Sequence, residues 1–142
     1  MKYFLTTLLI ATAIACSAQD RIISVKELPE AAQSLIKSHF NSSKPTLVQR
    51  DKDGLKVNYD VVMDNGIKLE FDNKGNWTEI DCKPKAVPSA LVPTAIQNYI
   101  SKQFNGTKVV QIERTGKGYE VDLSNGIDIE FNKKMKAVKI DD

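Results

Sequence analysis

The side chains able to do chemistry in this chain of 142 residues are mostly carboxylates. Asp60, Glu70, Asp72, Glu79 and Asp81 fall at alternating positions of short β-patterned segments, which places them together on one polar face. Paired carboxylates can run glycoside hydrolysis, but only if an apolar pocket keeps one of them protonated. No apolar run surrounds these five, so the expectation is a solvated acidic face, with loose calcium contact as the nearest chemistry. His39 is the single histidine, and the matching position later in the chain is Gln103. No nucleophile or orienting partner accompanies it. With Cys16 and Cys82 the only cysteines, zinc lacks ligands. Gly116-Lys117-Gly118 is too short for a phosphate loop and reads as a hairpin turn. The expectation is therefore no catalytic residue, no cofactor and no metal, in a protein that is not an enzyme.

Trp77 is the side chain that pure packing explains least well. Thr78, Ile80 and Cys82 share the parity of a buried face, as do Val138 and Ile140, so strict alternation sends Trp77 outward with Glu79 and Asp81. A large aromatic among charges has the composition of an interface anchor. The competing reading is that Trp77 covers a strand end or the linker, or that a bulge turns it inward. The candidate binding surface is Trp77, Glu79, Asp81, Lys68, Glu70 and Asp60. Cys82 reads as a small buried apolar residue.

The elements that must position this face occur twice. Pro29 to Phe40 recurs as Pro93 to Phe104, with Ala31/Ala95, Gln33/Gln97, Ile36/Ile100 and Asn41/Asn105 in register. Tyr59-Asp60-Val61 matches Tyr119-Glu120-Val121, and Asn65-Gly66-Ile67-Lys68-Leu69-Glu70-Phe71 matches Asn125-Gly126-Ile127-Asp128-Ile129-Glu130-Phe131. Repetition at this period marks a duplicated folding unit. Ala32, Leu35, Ile36 and Phe40 form one helical stripe, and Val57 to Met63 then alternates with period two. The Asn-Gly pairs predict type I′ hairpins, and Asp72 to Gly75 predicts another turn. Each unit reads as a helix followed by four antiparallel strands. The whole reads as α+β, two tandem units at 19–83 and 84–142 joined into one eight-stranded sheet with both helices on one face and the other face wet. The segment Lys83 to Pro93 reads as a crossover packed on the body.

Residues 1–18 have the layout of a secretory signal peptide: Lys2, an apolar run from Leu5 to Ala15, then small residues. Cleavage after Ala18 competes with lipoprotein processing, in which Cys16 of Ala13-Ile14-Ala15-Cys16-Ser17 is acylated. The apolar run is shorter than the roughly 20 residues a spanning helix needs. The product is expected in the periplasm or secreted, with the lipid-anchored envelope protein as the alternative. A formal charge of +2 gives no concentrated basic face for nucleic acid. The sequence does not set an oligomeric state.

Leu28-Pro29, Tyr59-Asp60-Val61, Asn65 to Asp72, Gly75-Asn76-Trp77 and Glu79-Ile80-Asp81 together resemble the motifs of PepSY-like, β-lactamase-inhibitor-like domains of Gram-negative bacteria. The resemblance spans nearly the whole exported chain. It implies the tandem helix-plus-four-strand arrangement of the β-lactamase inhibitory proteins, whose concave sheet grips an enzyme. Met135-Lys136-Ala137 departs from Gly75-Asn76-Trp77, and the disulfides of those inhibitors have no counterpart here. The functional expectation is an exported, non-catalytic binding protein that inhibits or sequesters an unidentified envelope or secreted protein through its open sheet face. A small-ligand or glycan sensing module of the cell envelope is the alternative.

Overall fold

Two prolines start the two helices, where the N–H that proline lacks would have no acceptor, and their carbonyls accept from the first turn: Pro29 O from Ala32 and Gln33 N–H, Pro93 O from Ile96 and Gln97 N–H. Pro29 and Pro93 stand at the N-caps of α1 (Glu30–His39) and α2 (Thr94–Gln103) in the computed structural model, which describes residues 20–142. The leader at 1–18, Gln19 and Cys16 lie outside the described residues. The repeated glutamines have a structural reason. Gln33 Nε2 donates to Leu28 O at 2.7 Å and Gln97 Nε2 to Val92 O at 2.7 Å, tying each helix start to the segment that leads into it. Ala32 and Ile36 of α1, and Ile96 and Ile100 of α2, are the buried stripe.

The strands are β1 (Arg21–Ile22), β2 (Pro45–Asp53), β3 (Lys56–Met63), β4 (Lys68–Phe71), β5 (Trp77–Asp81), β6 (Val109–Thr115), β7 (Gly118–Leu123), β8 (Asp128–Asn132) and β9 (Ala137–Asp141). They form one antiparallel sheet in chain order. Among the described residues the sheet has nine strands, not the expected eight. The addition is β1, which pairs Arg21 with Arg50 and Ile22 with Gln49 along the outer edge of β2. Two residues are too few to show a period in the sequence.

Val61, Leu69, Ile80, Ile112, Val121 and Ile129 lie opposite one another from strand to strand and are each at most 2% exposed. This row runs unbroken from β3 to β8 and shares one core cluster with the buried stripes of α1 and α2. Both helices therefore cover the same face, and the crossover packs as expected, with Val87 and Val92 buried and Val87 N–H donating to Val109 O at 2.8 Å. Among the described residues, none forms a layer over the opposite face.

The Asn-Gly hairpins form, but not as type I′ turns. Gly66 N–H donates to Met63 O at 3.0 Å and Met63 N–H to Ile67 O at 2.8 Å, closing a three-residue loop in which Gly66 has φ +88° and Asn65 stays out of the positive-φ region. Gly126 repeats this at φ +90°. The asparagines act through their side chains: Asn65 Oδ1 accepts from Ile67 N–H at 3.3 Å while its amide donates to Ser43 Oγ at 2.7 Å, and Asn125 Oδ1 accepts from Ile127 N–H at 3.1 Å. These bonds replace the conformational role expected of them.

Candidate functional site

The uncovered face is built by strand alternation, and cross-strand register then decides which side chains meet. Asp60 stands opposite Glu70, Glu70 opposite Glu79, Glu79 opposite Glu113, Glu113 opposite Glu120 and Glu120 opposite Glu130. Six carboxylates thus occupy one straight row across six consecutive strands, β3 to β8. At about 4.8 Å per strand the row is roughly 24 Å long. Gln49 on β2 and Lys139 on β9 close its ends. A second row runs beside it: Lys68, Asp81, Gln111, Asp122, Asp128 and Asp141 are aligned in the same way.

Directly opposed like charges repel, and little within the face relieves them. Among the described residues the ion pairs are Lys83–Asp122 at 2.8 Å and Lys139–Asp141 at 3.4 Å, neither of which includes a carboxylate of the long row. Partial burial on the sheet raises the pKa of Asp60 above the ordinary aspartate value, with Glu70, Asp51 and Glu79 adding to the effect. Burial also raises Glu79, against a hydrogen bond donated by the Gln111 amide, and Glu70 and Asp81 push further upward. Glu113 is raised by burial and then by Glu79 and Glu120, its two neighbours in the row. Three members of the row therefore hold protons more tightly than free carboxylates do, and the cause includes one another.

Of the candidate surface residues, the structure brings Asp60, Glu70, Glu79, Asp81 and Lys68 together on this face. It does not bring Trp77. Glu70 pairs with Glu79 while Phe71 pairs with Trp77, so the ladder slips by one residue and Thr78 is the extra one. Thr78 Oγ1 donates to Glu70 Oε1 at 2.7 Å, which sets Thr78 on the carboxylate side. The phase reversal turns Trp77 into the core, 6% exposed, with the Arg114 guanidinium 3.9 Å from its ring centre. The expectation of an exposed aromatic anchor is corrected: strict alternation assumes an unbroken ladder, and this one contains a bulge.

Asp72 also leaves the face. Burial favours its neutral form, but backbone N–H groups of Asn76 and Lys74, each donating to Oδ1 at 2.9 Å, outweigh that and hold its pKa below the ordinary value. It holds the β4–β5 turn. Cys82 is buried, 3% exposed, and burial pushes its thiol up to about 11. Sequence reasoning missed Glu113, Glu120 and Glu130 as members of the row. Their alternation was visible, but the pairing of β5 with β6 that aligns them with Glu79 is made across a linker and a helix, not through a turn of readable length.

Residues 56–139 match the family model described as "Putative beta-lactamase-inhibitor-like, PepSY-like". No curated protein matches the chain. A protein of the DUF2874 family from Bacteroides vulgatus ATCC 8482, described as a "putative periplasmic protein", is 44% identical, with 87% of this chain and 97% of that chain covered and a TM-score of 0.84. A protein from Bacteroides thetaiotaomicron, described as a "putative calcium-regulated periplasmic protein", is also 44% identical, covering 89% of this chain and 99% of its own at TM-score 0.84. A second Bacteroides vulgatus protein, described as periplasmic and of unknown function, is 42% identical over 87% of this chain and 99% of its own, at TM-score 0.82. Among the described residues no helix is long and apolar enough to cross a membrane. The helix-backed antiparallel sheet, the motif-bearing strands from β3 to β9 and the family match agree, and the chain belongs to the PepSY-like, beta-lactamase-inhibitor-like family.

Proposed function

We propose that this is an exported, non-catalytic binding protein whose carboxylate row receives a cationic segment of a partner protein. One observation supports the reading above the rest: six opposed carboxylates lie open on a sheet face and, among the described residues, none of them is in an ion pair. The chain as a whole carries a formal charge of +2, so this face is charge segregation and not an acidic composition. A strand or loop bearing lysines and arginines would replace each repulsion with an attraction and gain long-range steering at low salt. The inhibitory part of the reading rests on the family description, with the cationic epitope on an envelope or secreted enzyme. Periplasmic relatives support export. We read 19–83 and 84–142 as two copies of one unit, and Cys16 as the acylation site if the leader is processed as a lipoprotein. A stacking site for glycans has less support, because Trp77 is buried.

A second reading follows from the calcium-regulated description of the Bacteroides thetaiotaomicron relative. Among the described residues no three potential ligands are gathered into a metal cage. A divalent cation would then screen the row and compete with a cationic partner. The test uses a labelled lysine-rich peptide at low ionic strength, followed by anisotropy, with the wild type, Glu79→Gln and Glu113→Gln. Binding that weakens in each variant and is displaced by millimolar calcium supports both readings, and displacement only by general ionic strength supports the first alone. Peptide affinity that ignores both substitutions defeats the proposal. Capture from envelope extract with the same variants as controls would then identify the natural partner.

A further inference from the structure

β9 occupies one outer edge of the sheet. It pairs with β8 on one side, and among the described residues nothing pairs with its other side. Edge strands invite pairing with another chain unless they are blunted by proline, by an outward bulge or by crowded charge. β9 is Ala137-Val138-Lys139-Ile140-Asp141 and has no proline. Its bulge, with Val138 the extra residue between Ala137 and Lys139, lies at the start of the strand and leaves Lys139 to Asp141 in regular pairing with β8.

The molecule itself indicates how such an edge looks when covered. β5 holds the same position after α1 that β9 holds after α2, and its free side is taken by β6, with Glu79 opposite Glu113, Ile80 opposite Ile112 and Asp81 opposite Gln111. Ile80 is 0% exposed there, whereas Ile140 in the matching place on β9 is 51% exposed and Val138 is 62% exposed. An apolar core-side residue is thus left uncovered beside open backbone donors and acceptors.

We propose that β9 pairs antiparallel with β9 of a second copy of this chain, about a two-fold axis at Ile140, to make a continuous sheet across two molecules. Charge selects this occupant and this register. Lys139 and Asp141 lie on the carboxylate face, opposite Glu130 and Asp128 of β8. Opposed residues in an antiparallel pair share a face. Placing Ile140 against its symmetry mate therefore puts Lys139 against the mate's Asp141 and Asp141 against the mate's Lys139, two cross-strand ion pairs flanking an apolar contact. A register centred on Lys139 would oppose two lysines and set Val138 against Ile140, whose parities differ. Within one copy Lys139 Nζ and Asp141 Oδ2 are 3.4 Å apart and their side chains are 60% and 58% exposed, so both are free to turn toward a partner. The two-fold contact closes on itself, whereas β9 joined to the far edge at β1 would be head-to-tail and would grow without limit.

Sedimentation velocity of the purified protein over a concentration series tests this, with Lys139→Asp, Asp141→Lys and the double variant. The expected result is a reversible dimer in the wild type, weakened about tenfold or more in each single variant and restored in the double variant, since opposed charges of one sign replace attractive pairs. Circular dichroism and melting controls separate loss of the dimer from loss of fold. Ile140→Cys is expected to cross-link two copies on oxidation, Cys82 being buried. A wild type that stays monomeric throughout, a dimer indifferent to the single reversals, or open-ended growth would each overturn the proposal.

Discussion

Replacing Glu113 by glutamine should stabilise the free protein, and the size of the gain follows from its neighbours. Glu113 stands directly opposite Glu79 on β5 and Glu120 on β7. A directly opposed like-charge pair costs up to about 1 kcal/mol, and solvent on the open face reduces that figure, so removing two such contacts should give roughly 1 kcal/mol. For a domain of this size that is about 3–5 °C in Tm. The pH dependence has a definite sign. The folded-state pKa of Glu113 is raised above its ordinary value of 4.5, so the protonated wild-type side chain is favoured by folding below that value, and this advantage is lost as pH rises through the folded pKa. The variant's gain should be present at pH 7 and absent near pH 3. Salt at 1 M, with a Debye length of about 3 Å, should shrink it. Urea melts of both proteins at pH 7 in low and high salt, and at acid pH, provide the assay. A variant no more stable than wild type at pH 7 and low salt would refute the account of the face as electrostatically strained.

Other outcomes follow from the core side of the sheet. A Cβ on Gly75, at φ +88°, would fall 2.8 Å from Pro29 Cβ and 2.9 Å from Ala32 N; on Gly66, at the same φ, it would meet nothing within 4 Å. Gly75→Ala should therefore lose about 2–4 kcal/mol, and Gly66→Ala only about 1–2 kcal/mol from the backbone conformation; equal losses in denaturant melts would show that α1 does not press on the β4–β5 turn. The single tryptophan, Trp77, should emit in the blue and resist acrylamide, and Trp77→Ala should cost about 3–5 kcal/mol while Arg114→Ala costs about 1 kcal/mol or less. Ready quenching would place the indole outside the core. Cys82, with its thiol pushed up to about 11, should react with a disulfide reagent only on unfolding; labelling of the native protein at the rate of an exposed thiol contradicts its burial.

The sequence is most readable where a signal is local and repeated. The helices begin and end within a residue of the segments bounded by Pro29/Phe40 and Pro93/Phe104, because an apolar stripe at helical spacing and a proline start both lie within a dozen residues. Asp60, Glu70, Glu79 and Asp81 share the face that alternation gives them. The misreadings arise where one residue changes phase or where partners are remote. Thr78, one residue too many in the β4–β5 ladder, inverts Trp77 and leaves no mark in composition. Met135 at φ +64° forms the β8–β9 turn in the place where Gly75 forms β4–β5, so the loss of glycine there did not mean loss of the turn. The junction of β5 with β6 depends on packing of the 83–93 crossover, and register set by tertiary contacts is invisible to a local period.

The carboxylate row also links stability to recognition. In a sheet of this kind alternating signs would favour the isolated molecule, and Glu130 opposite Lys139 at the row's end is such an arrangement. From Asp60 to Glu130 the row has the opposite design, although lysine is plentiful elsewhere in a chain of formal charge +2. Each amide substitution along it should relieve the free protein and remove one attraction for a cationic partner. Across Asp60→Asn, Glu79→Gln and Glu113→Gln, the gain in melting temperature and the loss in affinity for a lysine-rich peptide should rise together, most for Glu113, which has carboxylates on both sides and, among the described residues, no amide bonded to it. A set in which stabilised variants bind as well as wild type would separate the two effects and leave the row without a role in binding.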